Sequence, residues 1–403
     1  MLIHRMRRFN RPAGLRTSSF AGLVAAVILM THQTANALSP VLPPPCPPNL
    51  STKSAEQLAN RVADPSKADW WRECAANALA EKGAEAVPVL IRLLQYGDLS
   101  TQFLAINYIY EAQEHGGAGR EAVPLIVRRL KIYNLDNPYI SDHIYSVYWA
   151  LAALGKDATL AIPVLIEKSR SDKPGVPVPE SYWAIHALGR IGKYDAKRVV
   201  PHLILLLDEP SHRVDAANAL AEMAASARSA VPALTRHLET GGLTSSSDKF
   251  SGSLMWALAR CGDSGTTVPI LMPILVAPGF EIQAAHALRE IGPPARPAVP
   301  YLLSRLENSS STAGEKITDV LALLVIDPDS IETLQRILAQ ATRSNSYDIA
   351  DALAHVKALP AALAPDLQKA IDTSSDPIRQ LYIDALEQIH APSSHAVSLS
   401  KIP

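Results

Sequence analysis

Three observations predict an all-α fold, a right-handed solenoid of about nine or ten helical hairpins. One pattern recurs along the chain: an Ala-Leu pair closes an apolar helix, a glycine or small residue follows, and Val-Pro or Ile-Pro opens a second apolar helix. From Pro88 to Pro300 the opening prolines fall 36, 39, 38, 31, 37 and 31 residues apart, a period typical of arrays of paired helices. The 403 residues are 48% hydrophobic but only 5% aromatic, which suits thin layers cored by Ala, Leu, Val and Ile. One hairpin cannot bury its apolar face alone, whereas stacked copies share a continuous core.

Residues 1–37 read as an export signal. Arg5, Arg7, Arg8, Arg11 and Arg16 form a basic start without an acid, Phe20 to Met30 is an apolar run, and Ala35-Asn36-Ala37 is a small-x-small cleavage site. Eleven helical residues rise only about 16 Å, short of a bilayer core of about 30 Å, so no membrane span is expected after cleavage. An uncleaved anchor is the alternative. Residues 38–53 are a Pro-rich linker, extended because proline cannot sustain a helix there. Ser54-Ala55-Glu56-Gln57 is a capping box that opens a short first helix, and Asp64-Pro65 stops it.

The solenoid proper is expected over residues 54–390, with paired helices from about Ala68. Its copies carry Ala78-Leu79, Ala150-Leu151, Ala187-Leu188, Ala219-Leu220, Ala257-Leu258, Ala287-Leu288 and Ala352-Leu353. Gly83, Gly155, Gly192, Gly262 and Gly292 follow, with Ala224 in the glycine position of one copy. Glycine suits a helix end because it enters the left-handed region without steric cost, and proline suits a helix start because its missing N–H has no partner there. Arg72, Arg213 and Arg379 each stand seven before a repeat leucine and are expected to tie hairpins together. Asp327-Pro328-Asp329 breaks the eighth copy and marks a possible hinge. Residues 391–403 read as a disordered tail.

The pattern A-x-A-L-x-x-I-G…A-V-P-x-L-x-x-L resembles HEAT repeats, and closely the HEAT-like subtype of phycobilisome lyases. The resemblance covers roughly residues 54–390 and implies the fold. It also implies, as an alternative function, a lyase or chaperone-like protein handling a chromophore or small ligand. The His-Glu dyads of metal-binding HEAT-like hydroxylases are missing, since no His-Glu pair occurs.

Removing residues 1–37 leaves 33 basic and 39 acidic residues, a net charge of −6. That argues against nucleic acid, which needs a basic face to neutralise phosphates. Cys46, Cys74 and Cys261 fit no zinc spacing; Cys46 either pairs with Cys74 or stays free. Gly262-Asp263-Ser264-Gly265 matches the serine-protease run, but the repeat accounts for all four as turn formers between helices. No Gly-rich phosphate loop, HExxH or CxxC is present. Neither a catalytic residue, a metal site nor a cofactor is expected.

Two features suggest binding. Asn77, Trp149, His186, Asn218, Trp256, His286, Asp351 and Asp384 each stand two before a repeat leucine. Two residues turn a helix by about 200°, so this column is predicted to form a ridge away from the core, either binding or merely solvated. Tyr108, Tyr110, Tyr133, Tyr139, Tyr145, Tyr148, Trp149, Tyr182 and Trp183 crowd one stretch of an aromatic-poor chain, beside the longer connections at 133–140 and 171–180. They either widen the core or anchor a partner, as Tyr and Trp do at interfaces. The expectation is an exported, non-catalytic scaffold for protein–protein interaction, periplasmic or secreted, binding through Tyr139, Tyr145, Tyr148, Trp149, Tyr182, Trp183, His186, Trp256 and His286. The protein partner is unidentified.

Overall fold

The computed structural model describes residues 45–115, 119–133, 135–170, 179–242, 249–307, 313–340, 346–356 and 359–390. The export signal, residues 38–44 of the Pro-rich linker and the 391–403 tail lie outside the described residues. The chain divides into two compact units, residues 48–349 and residues 1–47 with 350–403.

A short helix α1 (Ala55–Ala63) comes first. Ser54 caps it: Gln57 N–H donates to the Ser54 hydroxyl at 3.3 Å and Ser54 N–H donates to the Gln57 side chain at 3.2 Å, completing the predicted capping box. Pairs follow: α2 (Asp69–Ala80) with α3 (Ala86–Tyr96), α4 (Leu99–Glu114) with α5 (Val123–Ile132), and α6 (Pro138–His143) running into α7 (Tyr145–Leu154) with α8 (Ile162–Lys168). Next come α9 (Glu180–Gly192) with α10 (Ala196–Leu206), α11 (Arg213–Met223) with α12 (Val231–His237), and α13 (Lys249–Cys261) with α14 (Ser264–Leu271). The series closes with α15 (Glu281–Ile291) and α16 (Val299–Glu307), α17 (Ala313–Ile326) and α18 (Ile331–Ala339), α19 (Ser346–Ala354) and α20 (Ala364–Thr373), and then α21 (Ile378–His390). The described residues contain helices and turns without a strand. Within the larger unit these pairs form the helical-hairpin array that the pattern predicts.

In the larger unit the first helices α2, α4, α7, α9, α11, α13, α15 and α17 each pack on the next, and the second helices form the other layer. The repeat leucines make the seam. Leu79, Leu151, Leu188, Leu220, Leu258, Leu288 and Leu323 are all 0% exposed. Full burial stabilises by about 2 kcal/mol per leucine. The alanines beside them keep neighbouring helices close. At Gly189 even a Cβ would come within 2.9 Å of the Ala219 Cα, so glycine sets the approach of α9 to α11. The stretch 138–168 is apolar enough to cross a membrane, but it is broken into α6, α7, a 3-10 turn and α8, and half of its most apolar window is buried. It is core, as packed helices require.

The turns show a division that the pattern did not distinguish. Gly83, Gly155 and Gly292 have φ of 56°, 56° and 76°, and each leads into a 3-10 segment before the second helix. Ala224 adopts φ 50° and ψ −135° in the same place, despite its Cβ. Gly192 and Gly262 do not take positive φ. There the lead-in is already α-helical, so Pro201 and Pro269 lie inside α10 and α14 rather than at their starts. Asp263 caps α14 by accepting the Thr266 N–H at 3.0 Å, so the GDSG run is a turn and cap.

The tying role of the register arginines holds. Arg72 is buried; it donates to the Val62 carbonyl at 2.8 Å, Ser100 Oγ at 3.0 Å and Thr101 Oγ1 at 2.7 Å, joining α1, α2 and α4. Arg379 donates to the Ile371 carbonyl at 3.3 Å, and Arg213 lies 4.7 Å over the Phe250 ring. At the break in the eighth copy, the Thr333 hydroxyl donates to Asp327 at 2.9 Å and Ser330 caps α18. Cys46 and Cys74 are each in disulfide form, while Cys261 is a free, buried thiol pushed up to about 12 by burial.

Asp319 on α17 is 0% exposed, with Arg305 Nε at 3.3 Å. Neither carboxylate oxygen meets a hydrogen-bond donor among the described residues. Burial raises its pKa to about 7 against the opposing charge of Arg305, with Glu315 and Glu281 adding to the rise. Because the folded value lies above the unfolded one, the ionised carboxylate weakens the fold as pH rises through 7, and the penalty fades as pH falls towards the ordinary carboxylate range.

Two predictions follow from this architecture. Ala224→Gly relieves a backbone strain of about 1–3 kcal/mol, less the roughly 0.5–1 kcal/mol glycine loses in the unfolded chain. Urea unfolding should therefore show a gain of about 1 kcal/mol. Asp319→Asn should raise the melting temperature more at pH 8 than at pH 5, as thermal melts at the two pH values would show; an equal rise would contradict a raised Asp319 pKa.

Candidate functional site

The predicted ridge divides by helix register. Trp149 stands two before Leu151 and is half-buried, whereas Tyr148 stands three before it and is 1% exposed. Residues three apart share a helix face, so Tyr148 belongs to the core. Its hydroxyl donates to Glu180 Oε1 at 2.7 Å, and Lys168 Nζ lies 3.4 Å from the same carboxylate. Burial, then the Glu180 charge, holds the Tyr148 phenol well above its ordinary pKa, so it remains a donor. The expectation that Tyr148 meets a partner is corrected: it pins α9 to α7. Tyr108 and Tyr133 are buried too, Tyr133 stacking on Phe103 at 5.2 Å. The side chain of Tyr110 lies outside the described residues.

The remaining aromatics form a two-helix ladder. On α7, Tyr145 and Trp149 stand four apart and on α9, Trp183 and His186 stand three apart, both spacings that place side chains on one helix face. Tyr145 faces Trp183 at 5.8 Å, and Trp149 stacks on His186 at 5.9 Å with a 12° interplanar angle. Tyr182 meets Trp183 edge-on at 4.9 Å. All five are half-buried, neither sealed in the core nor fully exposed. Tyr139 stacks on His143 at 4.2 Å on the adjoining α6 and reaches Phe103 at 5.9 Å. Tyr145, Tyr182 and Trp183 lie near the helix N-termini, at the edge where the longer connections enter. The connection 171–178 lies outside the described residues.

Electrostatics tune two of these groups. Burial, aided by the Asp215 charge, pushes the Tyr182 phenol up to about 12. Burial lowers the His186 pKa and Arg190 adds to it, against an opposing contribution from Glu222, so the imidazole facing Trp149 is neutral at pH 7. Along the same layer Trp256 and His286 are accessible on α13 and α15 but lie apart from the ladder, with α11 between α9 and α13. Arg260 sits 5.6 Å over the Trp256 ring.

A second column runs beside the ridge, two after the repeat leucines. It alternates as Arg190, Glu222, Arg260 and Glu290, with Arg190 paired to Glu222 at 3.9 Å and Arg260 paired to Glu290. The sequence held this signal in the repeat register. A serine–histidine contact occurs among the described residues. Ser169 lies 2.7 Å from His202 Nε2, but the serine is fully buried and donates its proton to the Ile166 carbonyl. His202 is therefore the donor to a packed hydroxyl, not a base. Among the described residues no three His, Cys, Asp or Glu side chains converge as a metal site.

No family model matches the chain, nor does any curated protein. Among solved structures it is similar to an engineered protein at 21% identity and a TM-score of 0.40, over 84% of this chain and 99% of that one. It is similar to the karyopherin Kap121p bound to the extreme C-terminus of the protein phosphatase Cdc14p, at 13% identity and a TM-score of 0.49, over 86% of this chain and 42% of that one. The chain thus spans less than half the length of that karyopherin. A third likeness is to the complex of CpcE and CpcF of phycocyanin lyase from Nostoc sp. PCC7120, at 19% identity and a TM-score of 0.35, over 66% of this chain and 94% of that one. These likenesses concern the helical-repeat fold alone.

The Trp149–His186 stack gives a direct readout. Protonated imidazole quenches indole fluorescence, so a variant retaining Trp149 as its sole tryptophan should dim on acidification. The midpoint should lie below the ordinary histidine value of about 6.5, and His186→Gln should abolish the step.

Proposed function

We propose that this protein is an exported, non-catalytic scaffold that docks a protein partner on its aromatic edge. The carrying observation is the half-buried ladder of Tyr145, Trp149, Tyr182, Trp183 and His186 on two successive helices. Aromatic rings held rigidly by a buried core lose little freedom on binding and supply large contact areas. The Tyr148–Glu180 hydrogen bond beneath them fixes α7 against α9, which pre-organises the surface. Tyr139 extends it. Trp256 and His286 belong to the same layer as outlying contacts.

Export is supported by the three-zone start of the sequence and by two cysteines in disulfide form, which persist in oxidising compartments. The chromophore-handling alternative has no comparable observation in its favour.

Trp149→Ala with Trp183→Ala should reduce capture of the partner about a hundredfold, the loss of two interface anchors of roughly 1–2 kcal/mol each, with helical circular dichroism unchanged. Cross-linking of the full chain in its native host, followed by mass spectrometry, reads both partner and mature start. A partner cross-linked near 139–186 and a chain beginning at Leu38 are expected. Undiminished capture by the double variant sinks the aromatic edge; a retained Met1 together with a cytoplasmic partner sinks export; absorbance from a bound pigment turns the reading to the alternative.

A further inference from the structure

One position of the seam departs from the repeat. Four before the repeat leucine stand Ala75, Val147, Ala184, Ala216, Leu254 and Ala284, each 0% exposed. Residues four apart share a helix face, so this column lies on the buried side with the leucine itself. Four before Leu323, the same place on α17 holds Asp319, which is equally sealed. Its ion partner is Arg305 of α16. The Arg305 Nε lies 3.3 Å from Oδ2 without the alignment of a hydrogen bond, and Nη1 is turned to the Leu275 carbonyl at 3.4 Å.

The surroundings do not offset the charge. Glu281 of α15 and Glu315, one turn earlier on α17, act against ionisation of Asp319, while Arg305 favours it. Lys316 stands three before Asp319 on α17 and is half-buried. Arg296, in the turn before α16, pairs with Asp327, and Arg336 of α18 pairs with Glu307 and Glu332, so both cations are turned elsewhere. The connection 308–312 carries no titratable side chain. A buried carboxylate that accepts no hydrogen bond is either held neutral or driven towards water. The step that carries it is also placed to move. Among helices lying wholly in the larger unit, α17 is the last of the first-helix row, and end copies of an array open without parting the inner ones.

We propose that the α15–α17 step is a pH-operated joint: with Asp319 neutral the seam closes over it, and with Asp319 ionised α17 parts locally from α15 and α16 so that water reaches the carboxylate. The working range follows from linkage. The carboxyl titrates near about 3.9 once solvated and at about 7 in the closed seam. Because the closed value is the higher, closure is at full strength below the solvated value. It weakens about tenfold per pH unit up to the closed value and is constant above it. The joint lies on other copies than the aromatic ladder and stands independently of partner docking there.

The test is hydrogen exchange of the full chain read by mass spectrometry at about pH 5, 6, 7 and 8, with intrinsic exchange rates divided out. Peptides from α17 should show opening that rises at least about tenfold from pH 5 to pH 7 and levels off by pH 8, while peptides from α7 and α13 stay flat. Asp319→Asn and Asp319→Ala, neither of which ionises, should each remove the rise, with circular dichroism confirming that they fold. A flat α17 profile in the parent chain overturns the proposal, and this arm needs no variant. A rise that both variants retain also overturns it, as does one shared equally by α7 and α13, which would mark unfolding of the whole array rather than a joint.

Discussion

Burial of the leucine-alanine seam between successive first helices is the constraint on which the rest depends. Every repeat leucine from Leu79 to Leu323 is closed off from water, and the alanines and Gly189 around them bring the helices close enough to seal it. A hairpin with one apolar face has no other stable arrangement than a neighbour of the same kind. Once the leucine register is fixed, the other positions of each helix are assigned by angle. Three before the leucine is core, as at Tyr148; two before and two after are outward columns. The aromatic ladder and the alternating charge column are thus both consequences of one buried residue per turn of the pattern.

The second constraint is the turn. A left-handed residue followed by a 3-10 segment connects the two helices of several copies, and Ala224 follows the same path as Gly83, Gly155 and Gly292. That an alanine is held there shows the packing on either side outweighing local preference. Where the glycine stays right-handed, as at Gly192 and Gly262, the second helix simply begins earlier.

Much of this was legible in the sequence. The Ala-Leu and Val-Pro spacing locates the helix pairs, and the capping box at Ser54 marks the first helix. The 200° argument puts Trp149, His186 and Trp256 at the surface, where they are. It was less able to sort the aromatic crowd, because one residue of offset is 100° of helix: Trp149 faces out and Tyr148 faces in. One hollow at the turns of successive copies was not legible. Arg120, Lys156 and Tyr194 are up to 74 residues apart and share an edge only because the copies stack, and each alone looks like an ordinary solvated turn residue. The alternating column was present in the register but hidden by its two-repeat period.

That two-repeat period bears on how such an array changes length. Arg190 meets Glu222, and Arg260 meets Glu290, each across one helix-to-helix step. Excising the α11–α12 pair alone would seat Arg190 beside Arg260, like charge against like at the surface of the seam. Excising α11 to α14 together would return Arg190 to a glutamate, Glu290. The array therefore has a parity: in this stretch copies are gained or lost at least electrostatic cost in twos.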